Sequence, residues 1–161
     1  MKSIPFEVTL ADQYSIIIPE KYVQPFLDKH LSRVKIKASH NEHSIDYHAA
    51  LKKEKTGLIR TYFSKAKQKE LGIYINDYFT VQLFEDQSKY GVEMPESLDA
   101  VLLSDYEAFK IFESLTPGKQ RSIIYTIKRL KNVQKQVDKS IIMTDNLKRG
   151  ITDLKLLFKI N

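Results

Sequence analysis

The sequence predicts an α+β protein, with an N-terminal small β-barrel of six to seven strands and short helices followed by a C-terminal helical bundle. Three observations predict it. Before Gly91, apolar and polar residues alternate in short runs, which is the period-2 pattern of half-buried strands. The pattern changes at Gly91-Val92-Glu93-Met94-Pro95. Beyond that point, capping residues and apolar spacings of three and four mark helices. The boundary divides the chain into a barrel domain over residues 1–91 and a helical module over residues 92–161.

Phe6, Val8 and Leu10 alternate with polar neighbours and form the first strand. Tyr14 to Ile18 is a short β-branched run that ends at Pro19. A short helix is expected from Glu20 to Lys29, kinked or interrupted by Pro25. Val34, Ile36 and Ala38 alternate, as do Ile45, Tyr47 and Ala49, with Asn41-Glu42 between them as a hairpin turn. Gly57 precedes a strand from Leu58 to Phe63. Ser64 caps a helix that Gly72 stops, and Tyr78 to Phe84 is the strongest strand pattern in the chain.

In the second half, Pro95 fits a first helical turn. Ser104-Asp105-Tyr106-Glu107 reads as a capping box, with Ser104 accepting from the amide of Glu107. Phe109, Phe112 and Leu115 follow at helical spacing. Thr116-Pro117 opens the next helix, striped by Ile123, Ile127 and Leu130. Helical character then continues from about Val133 to Arg149, where Gly150 stops it. The tail with Leu154, Leu156, Leu157 and Phe158 is expected to dock back on the body.

The composition excludes several classes of function. The chain has 161 residues and no cysteine, so it has no disulfide framework, thiolate nucleophile or cysteine-based metal site. This fits a reducing compartment. With no signal-peptide pattern at the start and no apolar run of ~18 residues, a cytoplasmic protein without integral membrane insertion is expected. The formal charge is +6, which permits contact with nucleic acid without requiring it. The charge is segregated: Val92–Leu115 carries one basic residue against six acidic ones, and Thr116–Arg149 nine basic against two acidic.

The stretch from about Met94 to Gly150 resembles the helical module of the bacterial YdeI/OmpD-associated (bacteriocin-protection) family. The resemblance is carried by Met94-Pro95-Glu96-Ser97-Leu98, Asp105-Tyr106-Glu107-Ala108, Phe112-Glu113-Ser114-Leu115-Thr116-Pro117 and Tyr125-Thr126-Ile127-Lys128. Ile17-Ile18-Pro19-Glu20, Lys69-Glu70-Leu71-Gly72-Ile73 and Asp77-Tyr78-Phe79-Thr80-Val81-Gln82-Leu83 resemble the small barrel that often precedes the module. The last unit is also similar to one in AbrB-like double-split barrels, some of which bind DNA as intertwined dimers. What the resemblance implies is a role in bacteriocin tolerance or envelope stress. Relatives often carry arginines after the central helix, where this chain has lysines. A lysine is a point charge without the bidentate fork.

Four groups of residues are candidates for a site. On a single helix from Thr116 to Lys139, Lys128, Lys131, Lys135 and Lys139 would share one face, with Arg121 on the same side. Such a ridge either follows a phosphate backbone or anionic partner, with salt-sensitive affinity, or is a solvated helix face. His40, His43 and His48 fall close together, but His43 and His48 have opposite strand parity and no third ligand is evident. Tyr47, Tyr62, Phe63, Tyr74, Tyr78, Phe79 and Phe84 are either core and rim residues or stacking platforms for bases. Arg60, between Ile59 and Thr61, is either a ligand-reading residue at the barrel mouth or a salt-bridged surface arginine.

No nucleophile motif, phosphate loop or dinucleotide-binding glycine run is present. The expectation is a non-enzymatic interaction protein with no catalytic residues, metal or cofactor, acting as a monomer or homodimer on a protein partner. One alternative is nucleic-acid binding through an AbrB-like barrel or the basic ridge. A second is a small-ligand barrel using Arg60.

Overall fold

The alternating runs of the first half pair into two antiparallel sheets. The structure, a computed structural model, describes residues 1–160 and divides into two units, Met1–Gln87 and the chain from Ser88 on. The first unit holds strands β1 (Phe6–Val8), β2 (Ser15–Ile18), β3 (Arg33–His40), β4 (His43–Ala50), β5 (Lys52–Lys53), β6 (Ile59–Tyr62) and β7 (Phe79–Glu85), with helices α1 (Glu20–Asp28) and α2 (Lys65–Leu71).

One sheet has the order β1-β7-β3-β4 and the other β2-β6-β5. The strands therefore form two sheets and do not close into the expected small barrel. The short strand β5, only two residues long, pairs with β6 alone and leaves the second sheet open at that edge.

Register follows the alternation. Val34, Ile36 and Ala38 lie opposite Ala49, Tyr47 and Ile45, and all six are buried. Asn41 turns the hairpin with φ +52°, a left-handed value that asparagine tolerates better than most residues. In the second sheet, Ile16, Ile18, Ile59 and Thr61 are buried, while Ile17 pairs with Arg60 and Ser15 with Tyr62 on the opposite face. The two sheets bury a shared core to which α1 adds Val23 and Phe26. The ring of Phe63 packs 5.4 Å from those of both Tyr47 and Phe79.

Helix α1 is not interrupted. It runs through Pro25, which forgoes one backbone donor, while Val23 and Phe26 are anchored in the core. Helix α2 has the expected ends. Ser64 Oγ accepts from the amide of Lys67 at 3.3 Å, and Gly72 closes the helix at φ +75°.

The second unit holds α3 (Glu96–Ser104), α4 (Tyr106–Ser114), α5 (Pro117–Lys128), α6 (Val133–Lys148) and α7 (Leu154–Leu157). Leu98, Leu102, Phe112, Ile123, Ile124, Ile127, Met143, Leu147 and Leu157 form its core. Buried polar groups close the helix ends. The side-chain amide of Gln120 donates to the carbonyl of Phe112 at 2.9 Å, joining the backbone amide of Leu115 at the C-terminal end of α4. Asn146, 2% exposed, donates to the carbonyls of Leu157 and Lys159 at 2.9 and 2.7 Å, which holds the tail in place.

The expected capping box is displaced by one residue. Ser104 ends α3 and donates to the carbonyl of Val101. Asp105 caps α4 instead, accepting from the amide of Ala108 at 3.1 Å. Its carboxylate also receives Lys148 Nζ at 2.7 Å, a gain the serine hydroxyl cannot offer.

Candidate functional site

Sheet register places Arg60 at the centre of a polar cluster. In β6, Ile59 and Thr61 turn to the core, so Arg60 and Tyr62 occupy the other face, with Lys52 of β5 opposite Arg60. Arg60 Nη1 donates to Asp12 Oδ2 at 2.8 Å and to Ser15 Oγ at 2.6 Å. Arg60 Nε donates to the carboxylate of Glu54. This clamp joins the β1–β2 loop, the β5–β6 turn and two strands.

The clamp borders an open cleft of about 460 Å³ lined by Asp12, Gln13, Tyr14, Ser15, Ala50, Lys52, Arg60, Thr61 and Tyr62, within the usual size range of ligand sites. The rings of Tyr14 and Tyr62 stand 6.3 Å apart and tilted by 30°. Tyr14 is 46% exposed and Tyr62 63%. Lys65 Nζ lies 5.8 Å from the Tyr14 ring centre, within cation–π range.

The electrostatics of the clamp fix its charge states. The amide of Tyr14, donating to Asp12 Oδ1 at 2.8 Å, is the largest of several influences that hold the Asp12 carboxyl below its ordinary range; the Ser15 hydroxyl and the Arg60 charge act the same way. The bond to Glu54 raises Arg60 further. Two carboxylates therefore face the one guanidinium and outweigh its charge. The cleft offers a donor (Arg60) and an acceptor (Asp12) side by side, with aromatic walls and lysines at its rim.

Two hydroxyls in this unit stand apart. Tyr47 and Thr61 have buried oxygens that meet no hydrogen-bond partner among the described residues. Burial pushes the Tyr47 phenol far up.

The basic ridge does not form as one helical face. Helix α5 ends at Lys128, Lys131 lies in the connection, and Asn132 starts a new helix by accepting from the amide of Lys135 at 3.1 Å. Arg121 and Lys128 thus belong to α5, and Lys135 and Lys139 to α6. Lys139 Nζ donates to the carbonyl of Phe158 at 3.1 Å.

The histidines are also spread out. His40 and His43 are cross-strand partners beside the hairpin turn, and His40 Nδ1 lies 3.2 Å from the carbonyl of Tyr78. His48 Nε2 is instead 3.4 Å from Asp86 Oδ1. Among the described residues, no three histidine or acidic side chains are grouped as a metal site. Of the aromatics, Tyr47, Phe63 and Phe79 are core, whereas Tyr62, Tyr74 and Tyr78 are exposed.

Of the two readings of Arg60 in the sequence, the structure shows the salt-bridged one, with partners the sequence did not mark. Asp12 had a local signal, an acidic residue three positions before β2. Nothing local marks Glu54, Ser15 or Tyr14 as its neighbours.

Fold and site together define an α+β protein with a two-sheet unit that bears an open cleft and a separate helical unit. Residues 91–150 match the model of a family described as bacteriocin-protection, YdeI or OmpD-associated. The match supports the resemblance read from Met94 onward, covers less than half of the chain and leaves the two-sheet unit outside it. No curated protein matches the chain. The solution structure of PHS018 from Pyrococcus horikoshii aligns at 20% identity and a TM-score of 0.37, over 52% of this chain and 95% of that one. A likeness that weak fixes neither fold nor function.

Proposed function

We propose that the protein is a non-enzymatic binding protein of the YdeI/OmpD-associated kind, acting in bacteriocin tolerance or envelope stress, and that the Arg60 cleft is its binding site. The family match over residues 91–150 supports the biological setting. The observation that carries the binding site is the Arg60–Asp12–Glu54 clamp beside two exposed tyrosines. An arginine held by three side chains is positioned before a ligand arrives, so little ordering cost falls on binding. Because two carboxylates outweigh its charge, a bare anion gains little there. A planar group with its own donor and acceptor fits better. The cysteine-free composition suits a cytoplasmic protein.

The test uses benzamide, a planar ring carrying one carbonyl acceptor and one amide donor. Titrated at millimolar concentration, it is expected to shift the backbone amide resonances of Tyr14, Ser15, Lys52, Arg60 and Tyr62 and to lose that effect in Tyr62→Ala. Shifts confined to other surfaces would contradict the assignment.

A further inference from the structure

The cleft combines three features that a small neutral ring does not use together. Tyr14 and Tyr62 line the cleft as exposed aromatic side chains with ring centres 6.3 Å apart. Arg60 Nη1 and Nε are held by Asp12, Ser15 and Glu54, which leaves its Nη2 as a donor beside the Asp12 carboxylate as an acceptor. Lys52 and Lys65 stand at the rim, Lys52 on the open edge of the three-stranded sheet and Lys65 over the Tyr14 ring. Lys55 follows in the β5–β6 turn and is exposed.

We infer that the cleft binds an unpaired base of single-stranded nucleic acid, an inference that rests on the cleft being the binding site. The chemistry of each part matches one part of a nucleotide. Every base has a π face that stacks on an aromatic side chain whatever its sequence. Base edges carry donors and acceptors side by side, as the Arg60–Asp12 pair does. The phosphates on either side of a bound base meet Lys52, Lys55 and Lys65, which releases counterions and makes binding salt-sensitive.

Duplex nucleic acid does not fit this geometry, because its bases are stacked and paired and cannot enter a cleft walled by tyrosines. Asp12 and Glu54 weigh against binding through phosphate alone, since together they outweigh the guanidinium at the cleft floor. Selectivity for single strands therefore follows from the same pairing that makes the site poor for a simple anion.

The experiment is a fluorescence-anisotropy titration of the full chain with labelled single-stranded DNA and RNA twelve-mers and a DNA duplex, at low and near-physiological salt. The expected result is single-strand binding that weakens with salt, is tighter than duplex binding, and falls about tenfold in Tyr62→Ala, in line with the measured worth of base–aromatic stacking. Tyr62→Phe keeps the ring and is expected to bind as the natural chain does. Tyr62 is 63% exposed, so its truncation leaves the core intact.

Duplex binding as tight as single-strand binding, or full affinity in Tyr62→Ala, would overturn the inference. Absence of oligonucleotide binding at low salt would also overturn it. In that case, benzamide shifts at the cleft would leave the binding site standing, and their absence would remove both.

Discussion

Arg60 and Asp12, 48 positions apart in the chain, meet through a hydrogen bond of 2.8 Å between Nη1 and Oδ2. The contact ties the β1–β2 loop to the middle of β6 and sets the polar floor of the cleft. Replacing Arg60 by alanine leaves Asp12 and Glu54 side by side without their cation. Arg60→Lys restores the charge but not the fork that reaches Asp12, Ser15 and Glu54 together. Both variants are expected to lower the melting temperature and to lose the benzamide response, with lysine rescuing neither fully. Thermal denaturation beside the shift titration reads both effects, and full rescue of either by lysine would contradict the role of the fork.

Thr61 gives a prediction of the opposite sign. Its hydroxyl is buried and unpartnered among the described residues, and such a group costs about 1–3 kcal/mol when left unsatisfied. Thr61→Val keeps the branched shape that suits a strand and removes the oxygen. The variant is expected to be more stable by about 1 kcal/mol, measured by urea denaturation. A loss of stability would mean that the hydroxyl is paired.

The Asp105–Lys148 pair, 2.7 Å apart, makes the helical unit sensitive to acid. The bond from Lys148 first, and the amide of Ala108 second, hold the Asp105 carboxyl below its ordinary range. The folded state therefore binds this proton less readily than the unfolded state does. The stabilisation is fully present above the unfolded aspartate range, near pH 4, and is lost as pH falls through the depressed folded value. Asn is an equally good cap, so Asp105→Asn isolates the charge. Its stability is expected to fall less steeply than that of the natural chain as pH drops below about 4, read from denaturation midpoints across pH. Parallel curves would count against the pair.

Asn132 separates the lysines of α5 from those of α6. Asn132→Ala removes the cap on α6 and is expected to cost about 1 kcal/mol, seen in chemical denaturation. The neutralised variant Lys128→Gln/Lys131→Gln/Lys135→Gln is expected to weaken oligonucleotide binding less than Tyr62→Ala does. A larger loss would return the binding surface to the helices.

Local rules carried much of the fold into view. The β3–β4 hairpin follows from alternating Val34, Ile36 and Ala38 against Ile45, Tyr47 and Ala49. Ser64, Gly72 and Thr116 mark helix ends by their own backbone chemistry. The division into two open sheets was not legible, because alternation says that a strand has two faces and not which strand pairs at its edge. The β2-β6-β5 sheet ends at a two-residue strand that no periodicity could show. The cap of α4 was misplaced by one residue because Ser104 and Asp105 both suit the position. Lys148, 43 positions later, favours Asp105. Arg60 stood out as a charge in an apolar strand, but Glu54 and Asp12 reach it only through the turn and loop that the sheet brings together.

Photo-cross-linking tests the cleft most directly. The full chain is irradiated with a twelve-mer containing 4-thiouridine, and the adduct is located by mass spectrometry. A base seated in the cleft predicts adducts on Tyr14 or Tyr62 that disappear in Tyr62→Ala. Adducts on the α5 and α6 lysines, on Tyr74 or Tyr78, or on no residue at all would contradict it.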